Sequence, residues 1–161
     1  MRVLIETLDE QFDSLDRRQR ILLEKTDERR LFWTPVSAAD SMITLSVGGG
    51  VLRSAAMVEQ LFLGLTRRLW DDPFEWTLPE KLDSVGLIRE YLDEVDRTRE
   101  SGISFIASDD SLSKAIPAPV KITPISQILI DTLARSEHYL GRAYAVFQMI
   151  SDEKLPRIES F

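Results

Sequence analysis

Val51, Ala55, Val58, Phe62, Leu65 and Leu69 follow one another at steps of 4, 3, 4, 3 and 4. Steps that alternate three and four place every one of these side chains on one side of an α-helix, the spacing of a helix-bundle seam. Three other stretches share the pattern. In the first, about Val3 to Lys25, Leu4 or Ile5, Leu8, Phe12, Leu15 and Leu22 form the stripe; Glu6, Asp9, Glu10, Asp13, Asp16, Arg17 and Arg18 form the wet face. In the third, opening near the capping pair Asp83-Ser84, the stripe is Ile88, Tyr91, Val95, Thr98, Gly102 and Phe105. In the fourth, about Thr123 to Ser151, it is Ile125, Leu129, Thr132, Ser136, Tyr139, Ala143, Val146 and Ile150. A helix with one apolar stripe is stable only when that stripe is covered, and four such helices cover one another. The expected fold is all-α, a four-helix bundle with long loops.

Punctuation between the stripes supports this division. Thr26-Asp27-Glu28 reads as the cap and acidic first turn of a short extra helix after the first, ending near Trp33 because Thr34 precedes proline. A loop is expected from Pro35 to Thr44. Asp71-Asp72-Pro73 stops the second helix near Trp70, and Pro73 to Leu82 reads as an ordered aromatic loop. Ser108 to Ser111 closes the third pattern, and Thr123-Pro124 reads as a hydroxyl cap with proline in the first helical position. Met42–Leu45 and Val120–Thr123 alternate weakly and are expected to form at most short extended loops. At 161 residues the chain is one domain's worth, residues 1–161, with 152–161 as a loose charged tail.

Composition removes whole classes of chemistry. There is no cysteine and one histidine, His138. Disulfides, thiolate nucleophiles and zinc fingers are excluded, and any Ser-His-Asp triad would have to use His138. The formal charge of -7 argues against nucleic acid as a partner, since phosphate neutralisation needs a basic footprint. Arg17-Arg18, Arg29-Arg30 and Arg67-Arg68 stand among acids and read as solvated faces. No apolar run approaches the ~20 residues of a membrane span. The start, MRVLIETLDEQFD, turns acidic too early for a signal peptide, so a cytoplasmic location is expected.

Polar residues on the buried stripes are the candidate site. Thr132, Ser136 and Tyr139 lie mid-way along the fourth stripe, flanked by Arg135 and His138; Arg53 and Ser54 lie early on the second helix. Bundles build sites from facing helices in this way. The competing reading is structural: Ser and Thr bond a carbonyl one turn back at a tight crossing, and Tyr139 is a core ring with its hydroxyl at the rim. His138 with Tyr139 would be the acid–base candidates. Gly48-Gly49-Gly50 opens the second helix, where free backbone N–H groups can hold an anion, or where the helix simply packs closely. Trp33, Trp70 and Trp76 stand at helix ends and in loops and read as covers over the core rather than base-stacking platforms.

The order of LFWTP, SVGGGVLRSAAMVEQLF, LIREYLDEVDRTRESGISFI and TPISQILIDTLARSEHYLGRAYAVFQMI resembles the DinB-like superfamily of bacterial four-helix-bundle proteins, over roughly residues 3 to 150. The most specific stretch is Arg135-Ser-Glu-His-Tyr-Leu-Gly-Arg142, similar to that family's fourth-helix segment ending in Arg-Gly-Gln. The resemblance implies a site of three metal-ligating histidines, one early on the second helix and two spaced i, i+4 on the fourth. Aligned on Gly141, those places are held by a residue within Arg53–Ala55, by Arg135 and by Tyr139. None is histidine, so the nickel or zinc that the family implies is not expected as a cofactor. In its place Arg53, Ser54, Arg135, Ser136 and Tyr139 would suit an anionic or carbonyl-bearing small molecule. Three readings follow: a metal-free small-molecule-binding or protein-interaction module, with room for a homodimer; a divergent transferase or hydrolase using the cleft between the second and fourth helices; and a carboxylate metal site with Glu59 or Glu137. Whether the chain is an enzyme stays open at this point.

Overall fold

The computed structural model describes residues 1–35 and 45–155. Within them the chain forms α1 (Val3–Lys25), α2 (Val47–Arg67), α3 (Val85–Phe105) and α4 (Ile125–Ile150), an all-α four-helix bundle. The Pro35–Thr44 loop and the alternation at Met42–Leu45 lie almost wholly outside the described residues, as does the tail beyond Leu155. None of the described helices is long and apolar enough to cross a membrane.

α2 is the centre of the bundle. It packs most extensively on α4 and next on α3, and 15 of its side chains or glycines are buried, among them Val51, Ala55, Val58, Phe62 and Leu65. The four stripes supply the core: Ile5, Phe12, Leu15 and Leu22 from α1, Ile88, Tyr91 and Val95 from α3, and Ile125, Leu129, Ala143 and Val146 from α4. The stripes are drawn too long at their ends. Leu69 and Phe105 are exposed, because each stands beyond or in the last turn of its helix, while at the start of α1 it is Ile5 rather than Leu4 that is buried.

Glycine sets two of the crossings. A Cβ on Gly50 would stand 2.8 Å from the Cβ of Ala143 and 3.0 Å from the Tyr139 carbonyl oxygen, so α2 and α4 meet nearly backbone to backbone. A Cβ on Gly102 would stand 2.2 Å from Phe62, whose ring fills the space α3 leaves and packs edge-on against Phe12 at 5.3 Å.

Several local expectations are corrected. Thr26 does not cap a second helix. Its hydroxyl donates to the Leu22 carbonyl at 2.6 Å, and Asp27 caps a single 3-10 turn, Glu28–Arg30, by accepting from Arg29 N. Thr123-Pro124 is not a cap followed by a first helical residue either. Both belong to β2 (Ile122–Pro124), which pairs antiparallel with β1 (Ala115–Pro117), and α4 starts one residue later without a side-chain cap. Ser84 caps α3 as expected, accepting from Leu87 N at 3.2 Å. The aromatic loop is ordered by two 3-10 turns, Pro73–Glu75 and Pro79–Lys81. Trp70 leans on Gly64, as a cover should, whereas Trp33 and Trp76 are exposed.

On the face of α1 read as wet, Glu6, Glu10 and Arg17 are exposed, but Asp9, Asp16 and Arg18 are held in ion pairs. Arg99 of α3 is buried and bonds Asp9 and Asp96; Arg20 bridges Asp16 at 2.6 Å and Asp93 at 2.7 Å; Arg18 is paired with Glu137 of α4 through both guanidinium nitrogens. Burial raises the Asp16 carboxyl above its ordinary range, with the Arg20 bond pulling the other way.

Glu59 of α2 is buried against α3, where Tyr91 donates its hydroxyl to Oε2 at 2.6 Å. Burial raises the Glu59 carboxyl and outweighs the Tyr91 bond, which lowers it; burial also pushes the Tyr91 hydroxyl up. Folded Glu59 therefore holds its proton more tightly than unfolded Glu59. Its stabilising contribution is fully present below the unfolded value, about 4.3, and is lost as pH rises through the raised folded value. Glu59→Gln keeps an acceptor for Tyr91 and removes the charge. Thermal melts should show the variant more stable than wild type at pH 8, with the gap closing toward pH 4.

Candidate functional site

The helix ends and the aromatic loop leave one large cleft beside the α2–α4 contact, about 610 Å³ in volume. Gly49, Leu52 and Arg53 come from the first turns of α2, and Tyr139 and Arg142 from the middle of α4. Asp72, Phe74, Pro79 and Glu80 come from the α2–α3 connection, and Phe32 follows the first 3-10 turn. The connection is a wall of the cleft because Asp72 does two things. Its Oδ1 accepts from Phe74 N at 3.0 Å, which caps the Pro73–Glu75 turn, and its Oδ2 accepts from Arg53 at 2.7 Å, which ties that turn to α2. The Arg53 guanidinium lies 4.4 Å over the Phe74 ring, a cation–π contact on top of the ion pair. Across the cleft Arg142 lies 5.5 Å over the Tyr139 ring.

The sequence candidates separate into three environments. Arg53 and Tyr139 reach the cleft. Ser54 and Ser136 are fully buried in the helix contact: Ser54 Oγ donates to the Ser136 carbonyl at 2.9 Å and accepts from the Gln19 amide at 2.8 Å, a polar tie between α1, α2 and α4. Ser136 Oγ itself has no hydrogen-bond partner among the described residues. Arg135 is exposed and lines a second groove, about 390 Å³, with Trp70, Thr132 and the β1–β2 hairpin. The five residues thus do not form one cluster, since helix rotation carries Arg135 some 100° round the axis from Ser136's buried side. His138 is exposed, with its ring edge-on to Tyr139 at 5.8 Å, and does not line the cleft.

The sequence reading missed Arg142, Asp72 and Phe74. Arg142 was findable, because it stands three residues after Tyr139 and so shares its face. Asp72 and Phe74 were not, since nothing in an Asp-Pro break says which helix it will lean against.

The glycine turn at the head of α2 offers no anion site. Gly48 N donates to the Leu31 carbonyl at 2.8 Å, Gly49 N to Ser46 Oγ at 3.0 Å and Gly50 N to the Ser46 carbonyl at 3.0 Å. Close packing is what the glycines serve. A metal does not fit the aligned positions: two are arginines facing different grooves, and Ser54 Oγ is engaged by Gln19 and the Ser136 carbonyl. Glu59 and Glu137, the carboxylate candidates, are bonded to Tyr91 and Arg18. Among the described residues no group of three or more His, Asp or Glu side chains stands together to hold a metal ion. Comparison of the chain with protein-family models, curated proteins and solved structures finds no match.

The two buried serines should answer differently to truncation. Ser136→Ala removes an unpartnered hydroxyl and should leave stability unchanged or raise it. Ser54→Ala strands the Gln19 amide and should cost about 1–3 kcal/mol in urea unfolding. Equal effects would sink the assignment of Ser54 as the tie.

Proposed function

We propose that the chain is a metal-free member of the DinB-like bundles that binds an anionic or carbonyl-bearing small molecule in the cleft between α2 and α4. The observation that carries this reading is a cleft of about 610 Å³ in which two guanidinium groups are each laid on an aromatic ring. A volume in the ~300–1,000 Å³ range with apolar walls and a few placed polar groups is the usual form of a small-molecule site. Membership in the DinB-like group rests on the order of the motifs and on the four-helix bundle they form. The transferase or hydrolase alternative loses its acid–base pair, because His138 lies outside the cleft.

The test is a thermal-shift panel of small carboxylic acids, ketones, thiols and nucleotides against purified protein, run with and without added nickel or zinc. Acids or ketones should raise the melting temperature, and Arg53→Gln should diminish the shift. A shift that appears only with metal would sink the metal-free reading.

For a macromolecular partner we propose a second copy of the chain. The outward strip of α4 carries Ile130, Ala134, His138, Gly141, Ala145 and Met149, all exposed and none of them acidic, Lys or Arg. The outer face of α3, by contrast, carries Arg89, Glu90, Asp93, Glu94, Arg97 and Glu100. The strip's steps of 4, 4, 3, 4 and 4 read the same from either end. A two-fold contact sets this strip against its own copy, so uncharged surface meets uncharged surface. Sedimentation equilibrium should show a dimer that Ala145→Glu dissociates; a wild-type monomer at high concentration overturns the assignment.

A further inference from the structure

We infer that the anion receptor of this cleft is Arg142, with the Tyr139 hydroxyl beside it, and that the ligand is a monocarboxylate carried on a flat apolar body. This rests on the reading of the cleft as a small-molecule site and names what that site selects.

The two arginines are not equivalent. Arg53 is charge-compensated by Asp72 at 2.7 Å and lies on Phe74 at 4.4 Å; its role is to staple the wall. Arg142 has no carboxylate partner among the described residues, and none of its guanidinium N–H groups is hydrogen-bonded to one of them. The Tyr139 ring beside it partly orders the guanidinium before any ligand arrives, which reduces the side-chain freedom lost on binding. A guanidinium with an unengaged edge matches a carboxylate in two parallel hydrogen bonds, and the Tyr139 hydroxyl three residues back on the same face is a further donor.

Charge on the opposite wall limits the ligand to one negative charge. Asp72 and Glu80 line the same cleft, so its four charged groups sum to zero. With Arg53 and Asp72 paired, a phosphate ester, which carries close to two charges at neutral pH, would meet one uncommitted cation, Arg142, and one uncommitted carboxylate, Glu80. The backbone offers it no help, since the glycine N–H groups at the head of α2 are engaged.

Apolar surface defines the rest. Leu52, Phe74 and Pro79 line the cleft, and Phe32 stands at it with 42% of its surface exposed. Flat rings stack on such faces, so the carboxylate at Arg142 has an apolar body laid between the Phe32 and Phe74 sides.

Isothermal titration with three naphthalene probes of one shape separates the head groups: 2-naphthoate, 2-naphthol and 2-naphthyl phosphate. On the wild-type protein 2-naphthoate should bind tightest. Arg142→Gln should weaken it about tenfold or more, in line with the loss of a charge-assisted pair. Arg142→Lys should recover only part, because an ammonium cannot make the paired contact. Tyr139→Phe should weaken it severalfold, and Arg97→Gln on the outer face of α3 should leave it unchanged. Phosphate binding as tightly as carboxylate, naphthol binding as tightly as naphthoate, or an unaltered affinity in Arg142→Gln each overturns the inference while leaving a ligand cleft in place. No binding of any probe, with a negative thermal-shift panel, overturns the cleft reading itself. Circular dichroism and melting of each variant separate lost contacts from lost fold.

Discussion

Everything else in this bundle depends on how closely α2 and α4 approach. Gly50 lies against Ala143 and the Tyr139 carbonyl, and the Ser54 hydroxyl reaches the Ser136 carbonyl one turn further on. The contact is therefore nearly backbone to backbone, and close-packed interiors tolerate little change at such points. It fixes the rotation of α4 about its own axis. That rotation decides that Ser136 is buried, that Tyr139 and Arg142 face the cleft, and that Arg135 faces a different groove. The Gln19 amide extends the same tie to α1.

Charge is distributed in two ways around that core. Between α1 and its neighbours, acids and arginines are matched in half-buried pairs, with Arg99 the most enclosed. Such pairs add modestly to stability but are specific about geometry, since removing one partner leaves an uncompensated charge. In the cleft one pair, Arg53–Asp72, has the same structural character, whereas Arg142 does not. The asymmetry between two arginines with similar aromatic supports is the basis of the functional reading. One guanidinium is paired with a wall carboxylate; the other has no carboxylate partner among the described residues.

Much of the fold was legible because it follows from periodicity. The stepping of Ile5 to Leu22, of Val51 to Leu65, of Ile88 to Val95 and of Ile125 to Val146 located all four helices and most core residues. It erred where periodicity carries no information. Leu69 and Phe105 continue their stripes in sequence but stand at or beyond the ends of their helices. Asp9 and Arg18 read as solvated because their partners, Arg99 and Glu137, lie on other helices, far away in sequence. Thr123-Pro124 has the composition of a helix start, but pairing with Ala115 and Ile116 was available to it as a strand.

The amino-acid sequence by itself determined that the chain is a helical bundle, which four stripes it buries, and that cysteine chemistry and a three-histidine site are closed to it. These follow from residue identity and from spacing along one chain. Only the tertiary structure decided which polar residues share a cleft. It set Arg53 against Asp72 and Phe74, brought Arg142 to Tyr139's side of the same opening, and sent Arg135 and His138 elsewhere. The physical reason is that neighbouring positions on a helix point some 100° apart. Which of them meets a cleft depends on the helix's rotation against its partner, and here that rotation is set by the α2–α4 contact at Gly50.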